Sequence, residues 1–201
     1  MFAMLMVVII AFLIFDLYQR FYRPLAATKN WPNLAERTGL QFHPPGGPWS
    51  NRSPARVIGN YRGYEVKLDT TRQLAGPVDD GIATYRTRWV LTMNQPVNGS
   101  LWLKRRWFSG WGILRAEEQT VGDAQFDQRF IIRSHPQDLA ARLFAAPELR
   151  HRFLAETTLR EFSLSNLGVR FEMAGIEGNP KKLHAQLNLV ADVVQTVKRL
   201  E

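Results

Sequence analysis

Two aspartates, Asp123 and Asp127, lie four residues apart in the segment GDAQFDQRF. Carboxylates at this spacing could share acid–base work or hold a cation if both turned into one cleft. The same residues also have a structural interpretation, in which Gly122 permits a turn and Asp123 accepts backbone hydrogen bonds within it. Asp127 would then point outward from a strand, near Arg129. The structural interpretation is the simpler one, and a membrane-tethered hydrolase that uses the two aspartates is kept as an alternative.

Other side chains that could bind a metal or a phosphate are spread along the sequence without a recognisable spacing. No two histidines are three or four residues apart, which is the spacing that puts two ligands on one helix face. The glycine-rich stretches lack the order of strand, glycines and helix start that a phosphate-binding loop needs. The sequence therefore predicts no metal site, no cofactor and no catalytic residue.

Residues 85–115 combine basic and aromatic side chains and carry no carboxylate. They hold four of the six tryptophans, in a chain whose formal net charge is +8. Such a charge favours anionic surfaces as partners. The residues that could bind one are Arg86, Arg88, Trp102, Lys104, Arg105, Arg106 and Trp107.

This basic, tryptophan-rich segment has three interpretations. In the first, Trp89, Trp107 and Trp111 lie in the hydrophobic core while the arginines cover a solvated strand face. In the second, the rings and guanidinium groups lie in a lipid headgroup layer, where each basic side chain contributes about 1 kcal/mol near anionic lipid. In the third, bases of single-stranded nucleic acid stack on the rings. The first interpretation is preferred, and nucleic acid is the least favoured partner.

The first fifteen residues carry no charge, and Arg20 and Arg23 follow them. A helix of this composition gains roughly 3 to 6 kcal/mol on entering lipid, so residues 1–20 are predicted to form one transmembrane anchor. The positive-inside rule then places the N-terminus outside and the rest of the chain in the cytoplasm. A cleaved signal peptide and a helix buried in a core are the alternatives.

The rest of the chain divides into a linker and one domain. Residues 21–54 are predicted to form a juxtamembrane helix, ending at Gly39, and a proline- and glycine-rich loop. Residues 55–201 are predicted to form a cytosolic α+β domain. Alternation of apolar and polar residues predicts strands over 56–59, 64–70, 85–93, 101–104, 126–133, 162–164 and 169–173.

Helices are predicted after Pro136 and Pro147, and a last helix follows Asn179 and Pro180. Apolar residues recur along the last helix at steps of three and four residues, which predicts one buried stripe of Leu183, Leu187, Val190, Val194 and Val197. The fold class that follows is α+β, with an N-terminal transmembrane helix and a mostly antiparallel sheet whose helices pack on one face.

A family resemblance supports this architecture over residues 122–173. The segment has an F-D-x-x-F pattern, a helix, a break marked by proline, a second helical turn and a hairpin. It resembles a loosely defined family of bacterial membrane-associated proteins with a domain of unknown function. The matching residues are Phe126, Asp127, Phe130, Pro147, Phe162 and Phe171. The resemblance implies a fold and a place at the bacterial inner membrane, and it implies no activity.

The function expected from the sequence is therefore non-catalytic. The chain is predicted to be a single-pass protein of the bacterial cytoplasmic membrane, and its lipid bilayer is the first expected partner. Its domain is predicted to bind either the membrane surface or a membrane or cytosolic protein.

Overall fold

The structure, a computed structural model, describes residues 28–46, 54–74, 83–106 and 118–200, together with residues 6, 7, 9–12 and 14. These N-terminal residues are helical and exposed. Most of the predicted anchor, residues 1–20, and residues 47–53 of the predicted loop lie outside the described residues. Within the described part, no helix is both long enough and apolar enough to cross a membrane.

Eight strands form one antiparallel sheet in the described part of the chain, which confirms the α+β class. Their order across the sheet is β1-β2-β3-β4-β8-β7-β5-β6, so the hairpin of β7 and β8 lies between β4 and β5. The three-residue edge strand β1 is absent from the sequence prediction. The strands are β1 (Gln41–His43), β2 (Arg56–Tyr61), β3 (Tyr64–Leu74), β4 (Ala83–Thr92), β5 (Ser100–Arg105), β6 (Phe130–His135), β7 (Leu159–Ser165) and β8 (Gly168–Ala174).

Helices accompany the sheet near the start, in the middle and at the C-terminal end of the described domain. A short 3-10 turn, Thr28–Asn30, leads into α1, and the left-handed backbone of Gly39 (φ 70°) ends that helix as predicted. Asn179 caps the last helix, because its side-chain oxygen accepts from Lys181 N at 3.0 Å. The helices are α1 (Trp31–Thr38), α2 (Ala124–Arg129), α3 (Leu139–Leu143), α4 (Pro147–Ala155) and α5 (Pro180–Leu200).

The hydrophobic core lies between one face of the sheet and the helices. Directly paired residues form an apolar row across all eight strands, and all five helices contribute side chains to the same cluster. The predicted stripe of α5 is buried, and so is Trp89, as the core interpretation expects. Helices on one face of the sheet are thereby confirmed. The row is Phe42, Val57, Leu68, Trp89, Phe171, Phe162, Leu103 and Ile132.

The prediction of one strand over residues 126–133 is wrong. Asp123 accepts a hydrogen bond from Phe126 N at 3.0 Å, which starts α2, and the strand begins only at Phe130. Phe126 is in this helix, and its ring centroid is 4.8 Å from that of Phe130 and 4.7 Å from that of Phe144. A run of eight residues is short enough to fit the apolar repeat of a helix as well as that of a strand. The capping aspartate and the aromatic core favour the helix.

Candidate functional site

The face of the sheet that the five helices leave uncovered carries mostly polar side chains. We call it the open face. Strand alternation and the pairing register place on it seven basic side chains against four carboxylates, so the face of the described strands is net cationic. The basic residues are Arg56, Lys67, Arg86, Arg88, Lys104, Arg133 and Arg170, and the carboxylates are Glu65, Asp69, Glu161 and Glu172.

Asp69 is the most enclosed charge on the open face, with 4% of its surface exposed. Arg88, directly opposite it on β4, donates from Nε at 2.9 Å and from Nη2 at 2.7 Å, and Lys67 Nζ lies 2.9 Å away. Burial opposes the charge of Asp69, but the hydrogen bonds from Arg88 and Lys67 outweigh it and lower the pKa of the carboxyl. The same pair raises the pKa of Arg88 through its hydrogen bond to Asp69.

Glu172 is the second buried carboxylate, and it lies opposite Arg88 on β8. Arg86 donates to its Oε2 at 2.8 Å, and Arg170 Nε lies 3.2 Å from its Oε1. Arg170 also approaches Glu161 at 3.9 Å. Asp69 and Glu172 therefore hold Arg86 and Arg88 against the middle of the sheet. Both arginines serve first as partners of buried carboxylates.

Trp102 lies on the open face near the β6 edge. The Lys104 ammonium is 5.9 Å from its ring centroid, and the Arg133 guanidinium, directly opposite on β6, is 5.4 Å from it. Cations at these distances are attracted to the face of an indole ring. Trp102 is half-buried by this stacking and forms part of the surface.

The structure divides the seven residues predicted for an anionic surface. Arg86, Arg88, Trp102 and Lys104 share the open face. Arg105 alternates with them, so it points to the helix side, where it donates to the carbonyl oxygen of Thr157.

The two remaining predicted residues follow β5. Arg106 pairs with Glu118 at 2.5 Å, and its backbone nitrogen donates to Arg129 O at 2.9 Å. Trp107 lies outside the described residues. The chain brings together a larger basic set than the predicted segment, because Arg160 and Arg170 come from the β7–β8 hairpin. The sequence did indicate Arg133 and Arg170 as surface residues, because each alternates with core-facing residues in a predicted strand. No sequence pattern indicated Arg160.

Asp123 and Asp127, the two aspartates of the hydrolase alternative, accept hydrogen bonds at the start of α2. Asp123 caps the helix, and hydrogen bonds from Phe126 N and then the charge of Arg150 lower its pKa against the effect of burial. Arg150 Nε lies 3.0 Å from Asp123. Asp127 is in the first turn of α2 and accepts from Val121 N at 2.9 Å, so its predicted outward position on a strand is wrong. Among the described residues, no group of three histidine or carboxylate side chains is placed to hold a metal ion.

A second polar cluster joins the β2–β3 turn to the outer side of α5. Tyr61 donates to Asn188 Oδ1 at 2.7 Å, and its hydroxyl is 3.3 Å from His184 Nε2. Arg62 reaches both Asn188, at 2.8 Å, and Asp192, at 2.7 Å. These bonds dock the turn on the helix, at the end of the sheet where β2 and β3 meet.

Comparison with known proteins identifies a shared fold. No family model matches the chain, and no curated protein matches it. The fold of the chain is similar to that in the crystal structure of the mycobacterial trehalose monomycolate transport factor A, TtfA, with a TM-score of 0.56 and 12% sequence identity. The likeness covers 85% of this chain and 95% of that chain. At this identity it shows the architecture alone.

Proposed function

We propose that this chain is a membrane-anchored, non-catalytic domain that works by binding at the inner side of the bacterial cytoplasmic membrane. It is proposed to serve as an accessory factor that holds a protein or the lipid surface, and its own side chains make no bond to a reacting group. The similar fold of a protein described as a transport factor supports an accessory role of this kind.

One observation carries the proposal. The described apolar residues of the N-terminal segment are helical and exposed, from 45% for Ile9 to 70% for Phe12. Large apolar side chains exposed along one short segment favour burial in lipid or against a partner. In the described part of the chain, the other large hydrophobic residue with comparable exposure is Leu167 in the β7–β8 turn. The exposed apolar surface is therefore concentrated where the sequence predicts the anchor.

The orientation of the proposed anchor follows from the flanking charges. Arg20, Arg23 and Lys29 come soon after the apolar run. The positive-inside rule therefore favours a cytoplasmic domain. In this arrangement the net cationic open face is in the same compartment as the anionic inner leaflet.

Membrane fractionation of the full chain tests the proposed anchor. We expect the protein in the membrane pellet, where it resists extraction by alkaline carbonate. The variant carrying Ile10→Glu and Phe12→Lys is expected in the supernatant, because a charge at a helix centre costs about 2.5 to 3.5 kcal/mol on insertion.

The matched control is Leu167→Glu, which places a charge at the other exposed apolar position and is expected to stay in the pellet. Intact-mass measurement of the pelleted chain tests the signal-peptide alternative. A wild-type chain in the supernatant, or a mature protein that has lost its first residues, would contradict the proposal.

A further inference from the structure

One row of side chains across the open face has cations and no carboxylate. Direct strand pairing links its six members, one from each of six neighbouring strands, and we call it the cationic row. The adjacent row, which runs from Asp69 to Lys104, holds three of the four carboxylates on this face of the described strands. The cationic row is Lys67, Val90, Arg170, Ser163, Trp102 and Arg133.

Three of the six side chains carry a positive charge. Lys67 and Arg170 are 38% and 47% exposed, although each lies against a carboxylate of the adjacent row. Lys67 Nζ is 2.9 Å from Asp69, and Arg170 Nε is 3.2 Å from Glu172. A lysine has three N–H donors and an arginine has five, so one carboxylate does not use them all. Both cations can therefore accept a second acidic partner from solvent.

The cations of the row are separated by less polar side chains. Val90 lies between Lys67 and Arg170, and Trp102 lies next to Arg133. Val90 and Trp102 are both half-buried, so their exposed parts form the floor of the row. A partner that matches this pattern must offer carboxylates and apolar side chains in alternation.

The dimensions of the row suit a helix. Adjacent strands are about 4.8 Å apart, so five steps from Lys67 to Arg133 span roughly 24 Å. A helix of about 16 residues has that length, and its rise of about 5.4 Å per turn is close to the spacing of the strands. A helix laid across the strands therefore presents about one turn to each member of the row.

We infer that the cationic row is the docking surface for an acidic amphipathic segment of a partner protein. The inference rests on the proposed function, and it names the chemistry of the protein that the domain holds. Charge complementarity selects this occupant, because a second copy of the chain would bring two net cationic faces together. Phosphates of lipid headgroups or nucleic acid would satisfy the cations but would bring no apolar side chain to Val90.

Fluorescence anisotropy of a labelled peptide tests the surface on the full chain in nonionic detergent micelles. The probe is a 20-residue amphipathic peptide of glutamate, leucine and alanine, and empty micelles give the background. The peptide is expected to bind, and Lys67→Gln and Arg170→Gln are each expected to raise its Kd about two- to fivefold, as for exposed ion pairs. Trp102→Ala is expected to raise the Kd about tenfold, because it removes an aromatic anchor.

Two control variants separate the row from the rest of the surface and from folding. Arg142→Gln removes an arginine that is 43% exposed and pairs with a carboxylate, as Arg170 does, but it is in α3 on the helix side. It is expected to leave the Kd unchanged. Arg170→Lys keeps the charge and is expected to retain most of the binding. Thermal unfolding in the same micelles confirms that each variant is folded.

Four outcomes would overturn the inference. The first is no binding of the acidic peptide, and the second is equal binding of a peptide with glutamine in place of every glutamate. The third is a Kd that is unchanged in Lys67→Gln and Arg170→Gln. The fourth is tighter binding of a twenty-nucleotide oligothymidylate or of phosphatidylglycerol with the same dependence on these residues, which would assign the face to nucleic acid or lipid. The proposed function fails separately, because a chain found in the aqueous fraction of cells could still bind the peptide.

Discussion

At the scale of single residues, the open face is organised by two buried carboxylates. Asp69 and Glu172 are almost fully enclosed although they are on the face without helices, because arginine and lysine side chains lie across them. A buried charge that loses its partner is costly, whereas an exposed pair contributes little. The Asp69–Arg88 pair therefore dominates this surface energetically.

Asp69→Asn is expected to lower the free energy of unfolding by about 2 to 3 kcal/mol at neutral pH, because Arg88 stays partly buried without its bidentate partner. The native pKa of Asp69 lies below its ordinary value of 3.8. Its stabilising contribution is therefore complete above that value and is lost as the pH falls through the native pKa. Urea unfolding of both proteins, followed by tryptophan fluorescence, should show the difference shrinking in acid.

The matched control is Asp138→Asn, which removes a carboxylate that is 63% exposed and pairs with Arg142. Its effect is expected to stay within about 0.5 kcal/mol. A difference between wild type and Asp69→Asn that is the same at neutral and acid pH would show that the ionised pair does not provide the stability.

At the scale of elements, the β7–β8 hairpin joins the two halves of the sheet. It pairs with β4 on one side and with β5 on the other, and it brings Phe162 and Phe171 into the core. Gly168 begins β8 where it pairs with Thr92, and Met93 N donates to the carbonyl oxygen of Leu167 at 3.1 Å. The hairpin therefore depends on a close approach between two backbones at its turn.

Gly168→Ala is expected to destabilise the domain by about 3 kcal/mol or more. Its φ of +151° strains an L-residue, and a Cβ there would overlap the carbonyl oxygen of Leu91. Gly122→Ala is the matched control, since φ is +79° but nothing lies within 4 Å of the added carbon. Its expected cost is about 1 to 2 kcal/mol. Equal losses in urea unfolding would mean that backbone conformation alone, without the steric overlap, sets both effects.

The elements also show where sequence periodicity was sufficient. The last helix and the strands around Leu68, Trp89 and Phe171 were predicted correctly, because each has a long run of one period and a clear capping or turn residue. The segment around Phe126 was predicted wrongly, because its short apolar run fits both the helix repeat and the strand repeat. Its helix is decided by the contacts of Phe126 with Phe130 and Phe144.

At the scale of the whole molecule, the chain separates two kinds of surface. The helices cover one face of the sheet, and the other face is net cationic. The start of α1 lies beside Glu177, at the end of the sheet opposite the β2–β3 turn.

The absence of cysteine in the sequence provides a test of the proposed orientation. Ala185→Cys adds one thiol at an exposed position of α5. A membrane-impermeant maleimide is expected to label it in inside-out vesicles and to leave it unlabelled in spheroplasts, because the domain is proposed to be cytoplasmic. Leu183→Cys, at a fully buried position, should label in neither preparation until the protein is denatured. Labelling of Ala185→Cys in intact spheroplasts would contradict the orientation.

The class of fold, the core-facing side of the longer strands and the burial of Trp89 follow from local periodicity, so the pattern of residues was enough to predict them. It also gave the apolar N-terminal run and the basic character of residues 85–115. The tertiary structure alone decided the strand order and the partners of each charge. Asp69 with Arg88, and Arg86 with Glu172, are brought together by strand pairing between distant segments. Such contacts depend on register and on backbone irregularity, which local residue patterns do not encode.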